Sequence, residues 1–248
     1  MATAMQANSF TCPERLVAFL KSNTFFGGLP DATLDALVSK SIVKRFPKGE
    51  VIWRRGDPGD SLMAILSGRI KISNTNAEAK EVVLNFLGVG DINGEMAVLG
   101  GKERTATATV LEDSEVLVIA GRELIPALIA NPEVLLEIIQ ELCEKLRATS
   151  AIIEDSTLAM RGRVARGLLR LAQQHGRTSK DGVRIHLALS QSDLGRYLGL
   201  SRPNVSRQLG HLKDANVIRI DGSQVVITDA RGLTEIAESD TTLLPLPG

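Results

Sequence analysis

The sequence predicts an α+β chain in three parts: a β-roll or barrel, one long helix, and a basic helix-turn-helix with a hairpin wing. Three observations predict it. Between Ile42 and Ile119, short β-rich runs alternate with Gly- and Asp-rich turns, the texture of an all-β barrel or roll. From Pro132 onward, apolar residues recur at spacings of four and three, a helical repeat. From Met160 to Arg219 there are 12 Lys/Arg against 3 Asp/Glu, a local net charge of +9, in a chain whose 29 basic and 29 acidic residues otherwise cancel.

The 248 residues suffice for one large domain or two modest ones, and 44% hydrophobic with 23% charged residues is an ordinary globular composition. No run approaches the roughly 18 apolar residues of a membrane helix. Met1 to Thr11 lacks a basic segment followed by an apolar one, so no secretory leader and no membrane association are expected. Two cysteines, Cys12 and Cys143, make no disulfide framework and cannot alone ligate an iron–sulfur cluster. A cytoplasmic setting is expected.

In chain order, residues 13–40 read as short helices, with Asp31 capping the one that carries Leu34, Leu37 and Val38. Strands are predicted at 51–53, 61–66, 69–73, 81–86, 106–111 and 115–119, with Gly68 among the turns between them. The helix from Pro132 aligns Leu135, Ile139, Leu142, Leu146, Thr149, Ile153, Ser156 and Met160 as a heptad seam. Such a seam suits a parallel two-helix dimer contact or packing on the β-roll. Its polar positions, Thr149 and Ser156, weaken packing unless they set register or meet a ligand. Cys143 beside the seam reads as a buried thiol. Trp53, Tyr197 and the phenylalanines read as core. A basic helix follows at 162–175, then a strand at 183–187, helices at 191–198 and 202–215, and a terminal hairpin at 217–220 and 224–228 turned by Asp221-Gly222. The tail after Ser239 has no periodic pattern and reads as loose.

Residues 189–209 carry the first functional pattern. Ser190 with Asp193 forms a capping box, Gly199 permits a tight turn, Ser201 is placed to cap the next helix, and Pro203 fits its first turn. Val205, Leu209 and Leu212 share one face; Arg202, Pro203, Ser206 and Arg207 share the other. That is a helix-turn-helix with a polar, basic recognition face, or a helical hairpin used only for packing. Arginine forks match guanine O6 and N7 in the major groove, and Ser190, Gln191, Ser192 and Ser201 at helix N-termini suit phosphates. Double-stranded DNA is therefore the expected partner.

The second pattern is Gly94-Glu95-Met96, opening a helical turn, followed by Arg104-Thr105. Arg104 offers a fork for a phosphate, Thr105 a hydroxyl and an amide, and Glu95 an acceptor for a ribose hydroxyl. An ordinary Glu–Arg surface pair is the alternative.

Together and in this order, these motifs resemble the Crp/Fnr-type bacterial transcription regulators, and most closely the cyclic-AMP receptor protein branch, over roughly residues 25–228. Gly49-Glu50-Val51-Ile52 and Gly56-Asp57 resemble the family's β-roll turns. Gly94-Glu95 with Arg104-Thr105-Ala106 resembles its phosphate-binding cassette, and Leu146 to Ser150 the ligand-contacting part of its dimer helix. The resemblance implies a cyclic-nucleotide-binding β-roll with a dimerisation helix at 1–156 and a winged helix-turn-helix at 160–248. It implies that Glu95 binds the ribose 2′-hydroxyl and Arg104, helped by Thr105, the cyclic phosphate. Thr149 would meet the purine from its own subunit and Ser150 from across a homodimer. Ligand would order the dimer helices, and a hinge near Ser156–Met160 would present two recognition helices to a pseudo-palindromic site. RNA polymerase is an implied partner.

Two departures bear on specificity. Pro203 stands where relatives carry a glutamate after the first recognition arginine, so an altered base preference is expected there. Thr105 stands where the enteric relative has serine; in the wider cyclic-nucleotide-binding superfamily a Thr beside the arginine often accompanies cyclic GMP binding, so the resemblance adds cyclic GMP, as ligand or competitor, to cyclic AMP. No nucleophile–base pair, metal cluster or P-loop is legible, so no enzyme, metal, haem or iron–sulfur cofactor is expected. All three histidines, His175, His186 and His211, lie downstream of the roll and read as surface or packing residues. A different small-molecule effector, constitutive DNA binding, or an enzyme or kinase regulatory subunit built on the same roll are the rival readings.

Overall fold

The structure, a computed structural model, describes residues 12–239 apart from 157, 188 and 223. Expectations for residues 1–11 and for the tail after Ser239 fall outside the described residues. The chain forms two compact units. One holds the described residues up to Ala79 together with Leu84–Leu146; the other holds Lys80–Val83 and the described residues from Arg147.

The first unit begins with α1 (Pro13–Lys21) and α2 (Asp31–Ser39). Pro30, not Asp31, occupies the N-cap of α2; Asp31 is its first helical residue and pairs with Lys21 at 2.8 Å. Then come β1 (Ile42–Phe46), β2 (Val51–Trp53), β3 (Ser61–Thr75), β4 (Glu81–Leu87), β5 (Ile92–Asn93), α3 (Glu95–Gly100), β6 (Thr107–Ala120), α4 (Gly121–Ile129) and the first part of α5 (Pro132–Asp155). The sheet is antiparallel where its registers are given, in the order β1-β6-β3-β4, with β2 also on β6 and β5 on β3.

The expected strand pairs at 61–66 with 69–73, and 106–111 with 115–119, are each one continuous strand. Gly68 is a bulge within β3 rather than a turn. Its φ is +85°, and a Cβ there would stand 2.2 Å from Ser114 Oγ. The register with β6 shifts around it. The run Leu62 to Leu66 is continuously apolar because both faces of β3 are covered. Leu62, Ala64 and Leu66 join the helices in one core cluster with Phe25, Phe26, Leu34 and Leu124. Met63 and Ile65 face the roll interior with Ile70, Ala108 and Val116.

The heptad seam lies differently from the expectation. Leu135 and Leu142 pack on the helical core cluster beside buried Val134 and Ile138. The exposed stripe of α5 is Leu136, Ile139, Cys143, Leu146, Ser150 and Ile153, again alternating by three and four. Cys143 is therefore exposed within the chain, not buried. Ser156 is a turn residue and Met160 opens the next helix, so neither extends the seam.

The second unit contains α6 (Met160–His175), β7 (Gly176–Ser179), β8 (Gly182–Ile185), α7 (Gln191–Leu198), α8 (Arg202–Asp214), β9 (Ile218–Asp221), β10 (Gln224–Ile227) and α9 (Ala230–Ser239). Its sheet is antiparallel in the order β7-β8-β10-β9. The strand β7 and the helix α9 go beyond the expected elements. Asp229 Oδ1 accepts the Gly232 amide at 2.9 Å as α9 starts, and Leu233 and Ala237 are buried. Among the described residues no helix is long and apolar enough to cross a membrane.

Candidate functional site

The turn after β2 and the segment before β6 are tied together by the backbone. The Gly56 amide donates to the Arg104 carbonyl at 2.9 Å, and the Arg104 amide donates to the Asp57 carbonyl at 2.9 Å. This fixes Arg104 at the mouth of β6. Its side chain then turns inward, and the residue is 5% exposed. Nη1 donates to the Ser61 carbonyl at 2.5 Å and Nη2 to Ser61 Oγ at 3.1 Å. Nε is buried with no hydrogen-bond partner among the described residues. Burial holds the Arg104 pKa below its ordinary value, partly offset by Asp60 and Asp57.

Gly94 lies against this guanidinium. Its φ is +96°, and a Cβ there would stand 2.6 Å from Arg104 Nη1 and 2.9 Å from the Ser61 carbonyl oxygen. Only glycine meets both demands. Glu95 follows as the first residue of α3 and is 2% exposed. Its Oε1 accepts from Lys145 Nζ at 2.9 Å, while Oε2 is buried without a partner among the described residues. Burial opposes the charge on Lys145, but Glu95 and Glu141 outweigh it and raise the Lys145 pKa. Met96 and Thr105 are exposed. Thr149 and Ser150 are exposed on α5, within the second unit.

Three participants were not singled out from the sequence as part of this site. Ser61 supplies two acceptors to Arg104. Lys145 holds Glu95, and its position four residues before Thr149 on one helix was the available signal. Trp53 does more than fill core: Arg104 Cζ stands 4.0 Å from its ring centroid.

In the second unit the helix-turn-helix follows the expected local chemistry. Ser190 Oγ accepts the Asp193 amide at 3.0 Å and donates to Asp193 Oδ2 at 2.6 Å, so the expected pair of residues caps α7 through the Ser190 hydroxyl. Gln191 and Ser192 open that helix and are partly exposed. Gly199 ends it at φ +64°. Ser201 sits at the N-cap of α8, but its hydroxyl makes no capping bond. Val205, Leu209 and Leu212 are buried, and Arg202, Pro203, Ser206 and Arg207 are exposed. Arg184 and Arg219 pair with Asp221, and Arg166 and Arg170 with Asp155. Arg202 and Arg207 are exposed and make no ion pair among the described residues. Among the described residues no group of three or more His, Cys, Asp or Glu side chains could hold a metal ion.

Residues 43–131 match the model of the cyclic nucleotide-binding domain, and residues 162–236 match the Crp-like helix-turn-helix domain. The CRP-like cAMP-activated global transcriptional regulator of Mycobacterium tuberculosis is 30% identical over 214 residues, covering 86% of this chain and 95% of that protein. The chain belongs to the Crp/Fnr family of transcription regulators. This is a family of DNA-binding regulators, not enzymes. The cAMP-activated global transcriptional regulator CRP of Salmonella typhimurium is 28% identical, covering 81% of this chain and 96% of its own. FixK2 from Bradyrhizobium japonicum shares the fold, with a TM-score of 0.71 and 20% identity over 79% of this chain and 96% of its own. A CRP/FNR-family regulator from Thermus thermophilus gives a TM-score of 0.63 at 26% identity, over 80% of this chain and 100% of its own.

Proposed function

We propose that this Crp/Fnr-family regulator is a homodimer, acts in the cytoplasm, and is switched by a cyclic nucleotide bound in its β-roll. Cyclic AMP is the effector and cyclic GMP a second ligand of the same site. The observation that carries the reading is the pair of buried, unpartnered polar atoms beside Gly94. Arg104 Nε is a cationic donor suited to a phosphate oxygen, and Glu95 Oε2 is an acceptor suited to a ribose hydroxyl. Gly94, Met96 and Thr105 complete the cassette, and Thr149 and Ser150 contact the purine. The cAMP-activated relatives support cyclic AMP; Thr105 supports cyclic GMP.

Arg202 and Arg207 read guanines in a pseudo-palindromic site, Pro203 relaxes the base preference beside them, and Ser190, Gln191, Ser192, Ser201 and Ser206 hold phosphates and register. RNA polymerase is the partner on DNA. The test is isothermal titration of nucleotide-stripped protein with cyclic AMP and cyclic GMP. Saturable binding is expected, weakened by at least about tenfold in Arg104→Ala, because one charge-assisted phosphate contact is lost. No binding of either nucleotide would overturn the effector assignment and leave another small molecule as the ligand.

A further inference from the structure

Trp53 is the only tryptophan in the chain. It ends β2, pairs with Ala108 of β6, and packs partly buried against the roll-interior cluster that holds Met63, Ile70 and Ala108. The Arg104 guanidinium lies over its ring at 4.0 Å, a stacking distance. We propose that Trp53 is the positioning residue for the anion-reading arginine: its indole face sets the plane of the guanidinium and stabilises the charge in a site without a counter-ion. The proposal rests on the reading of Arg104 as the phosphate ligand.

The need for such a residue follows from the surroundings of Arg104. The side chain is almost wholly buried, yet it makes no ion pair among the described residues. Its hydrogen-bond partners are both from Ser61, a carbonyl and a hydroxyl, and neither carries charge. Asp57 and Asp60 act on it only through longer-range attraction. A buried cation in this situation is costly unless a polarisable face substitutes for water.

The geometry also divides the labour. Ser61 fixes the two Nη groups and Gly94 closes on Nη1. Trp53 fixes the plane in which the Nε donor, unpartnered among the described residues, would meet an oxyanion. Without the indole the guanidinium could tilt out of that plane, and affinity would be lost in re-ordering it.

Two measurements test this together. The first compares cyclic AMP affinity, by isothermal titration, in the parent, Trp53→Phe and Trp53→Leu proteins. Phenylalanine keeps an aromatic face and is expected to bind within about threefold of the parent. Leucine keeps only apolar bulk and is expected to bind about five- to thirtyfold more weakly. The second needs no nucleotide. It compares indole emission and acrylamide quenching of Trp53 in the parent and in Arg104→Ala. The variant removes the stacked cation, so a shifted emission maximum and faster quenching are expected.

Equal binding by Trp53→Leu and the parent would overturn the proposal while the phosphate reading stands. So would equal weakening by leucine and phenylalanine, which would mark a packing role alone. An Arg104→Ala spectrum identical to the parent's would show that no stack exists in solution. A parent protein that binds no nucleotide would remove the phosphate reading and this proposal with it.

Discussion

Glu95 and Lys145 show how one ion pair prepares a site. Glu95 Oε1 is occupied by Lys145 and Oε2 has no partner among the described residues, so one acceptor remains for the proposed ribose hydroxyl. The Lys145 side chain is 40% exposed, so solvent screens the pair and its value is modest. Lys145→Met is expected to cost about 1–2 kcal/mol, mainly by leaving a buried carboxylate without its cation. The sign of the pH dependence follows from the Lys145 pKa, raised above its usual 10.5. The contribution is fully present below that value and is lost as pH climbs through the higher folded one. Urea denaturation should therefore separate parent and variant at pH 7 and bring them together at strongly alkaline pH. A constant difference across that range would refute the assignment. At this scale the sequence reveals residues adjacent along the chain and hides those that arrive from elsewhere. Gly94, Glu95 and Arg104 were legible because ten positions span them. Ser61 and Lys145 were not, because they lie 43 and 50 positions from the residues they hold.

At the scale of the element, α5 has two apolar stripes with different duties. The sequence alone cannot choose between the two rows, because Ile139, Leu146 and Ile153 continue both the three-four spacing that starts at Leu135 and Leu142 and the one that starts at Leu136 and Cys143. Burial separates them: Leu135 and Leu142 meet the core, whereas Leu136, Ile139, Leu146 and Ile153 do not. The two stripes predict opposite phenotypes. Leu142→Ala should lower the stability of the fold by about 1–2 kcal/mol, with self-association unchanged. Leu146→Glu, at a position 66% exposed within the chain, should leave helical content intact and shift a dimer toward monomer at micromolar concentration in sedimentation equilibrium. If both variants associate like the parent, the exposed stripe is not the dimer seam. Other elements escaped for comparable reasons. Gly68 reads as a turn because its partner, Ser114, lies on a distant strand segment. The helix α4 carries Pro126 inside it, a residue that reads as a breaker. In α9 only ten residues carry the amphipathic pattern.

At the scale of the molecule, the proposed switch requires a ligand in the roll to influence a recognition face in the other unit, and α5 is continuous across that division. Its last residue, Asp155, is 3% exposed and carries a buried network. The carboxylate accepts from Arg170 Nη1 at 2.7 Å and from Arg166 Nη1 at 3.4 Å, both on α6. Arg170 Nε donates to the Tyr197 hydroxyl at 2.9 Å, on the first helix of the helix-turn-helix. Burial disfavours the Arg170 cation, and Tyr197 and Asp155 outweigh it. Burial likewise raises the Tyr197 pKa, opposed by Arg170. The end of the long helix is thus joined to α7 by charge-assisted bonds rather than by apolar contact alone. Charge-assisted bonds have a narrower geometry than packed side chains, so loss of the Asp155 charge tests whether this joint couples the two ends. Asp155→Asn keeps the shape and removes the charge. Nucleotide affinity should stay within about twofold of the parent, because Asp155 is not among the proposed ligand contacts. The enhancement of DNA binding by saturating nucleotide should fall by about tenfold, the scale of a typical coupling free energy. Fluorescence anisotropy with a labelled operator, with and without nucleotide, reads both states. If stability drops while the enhancement is unchanged, the network supports the fold and does not carry the signal.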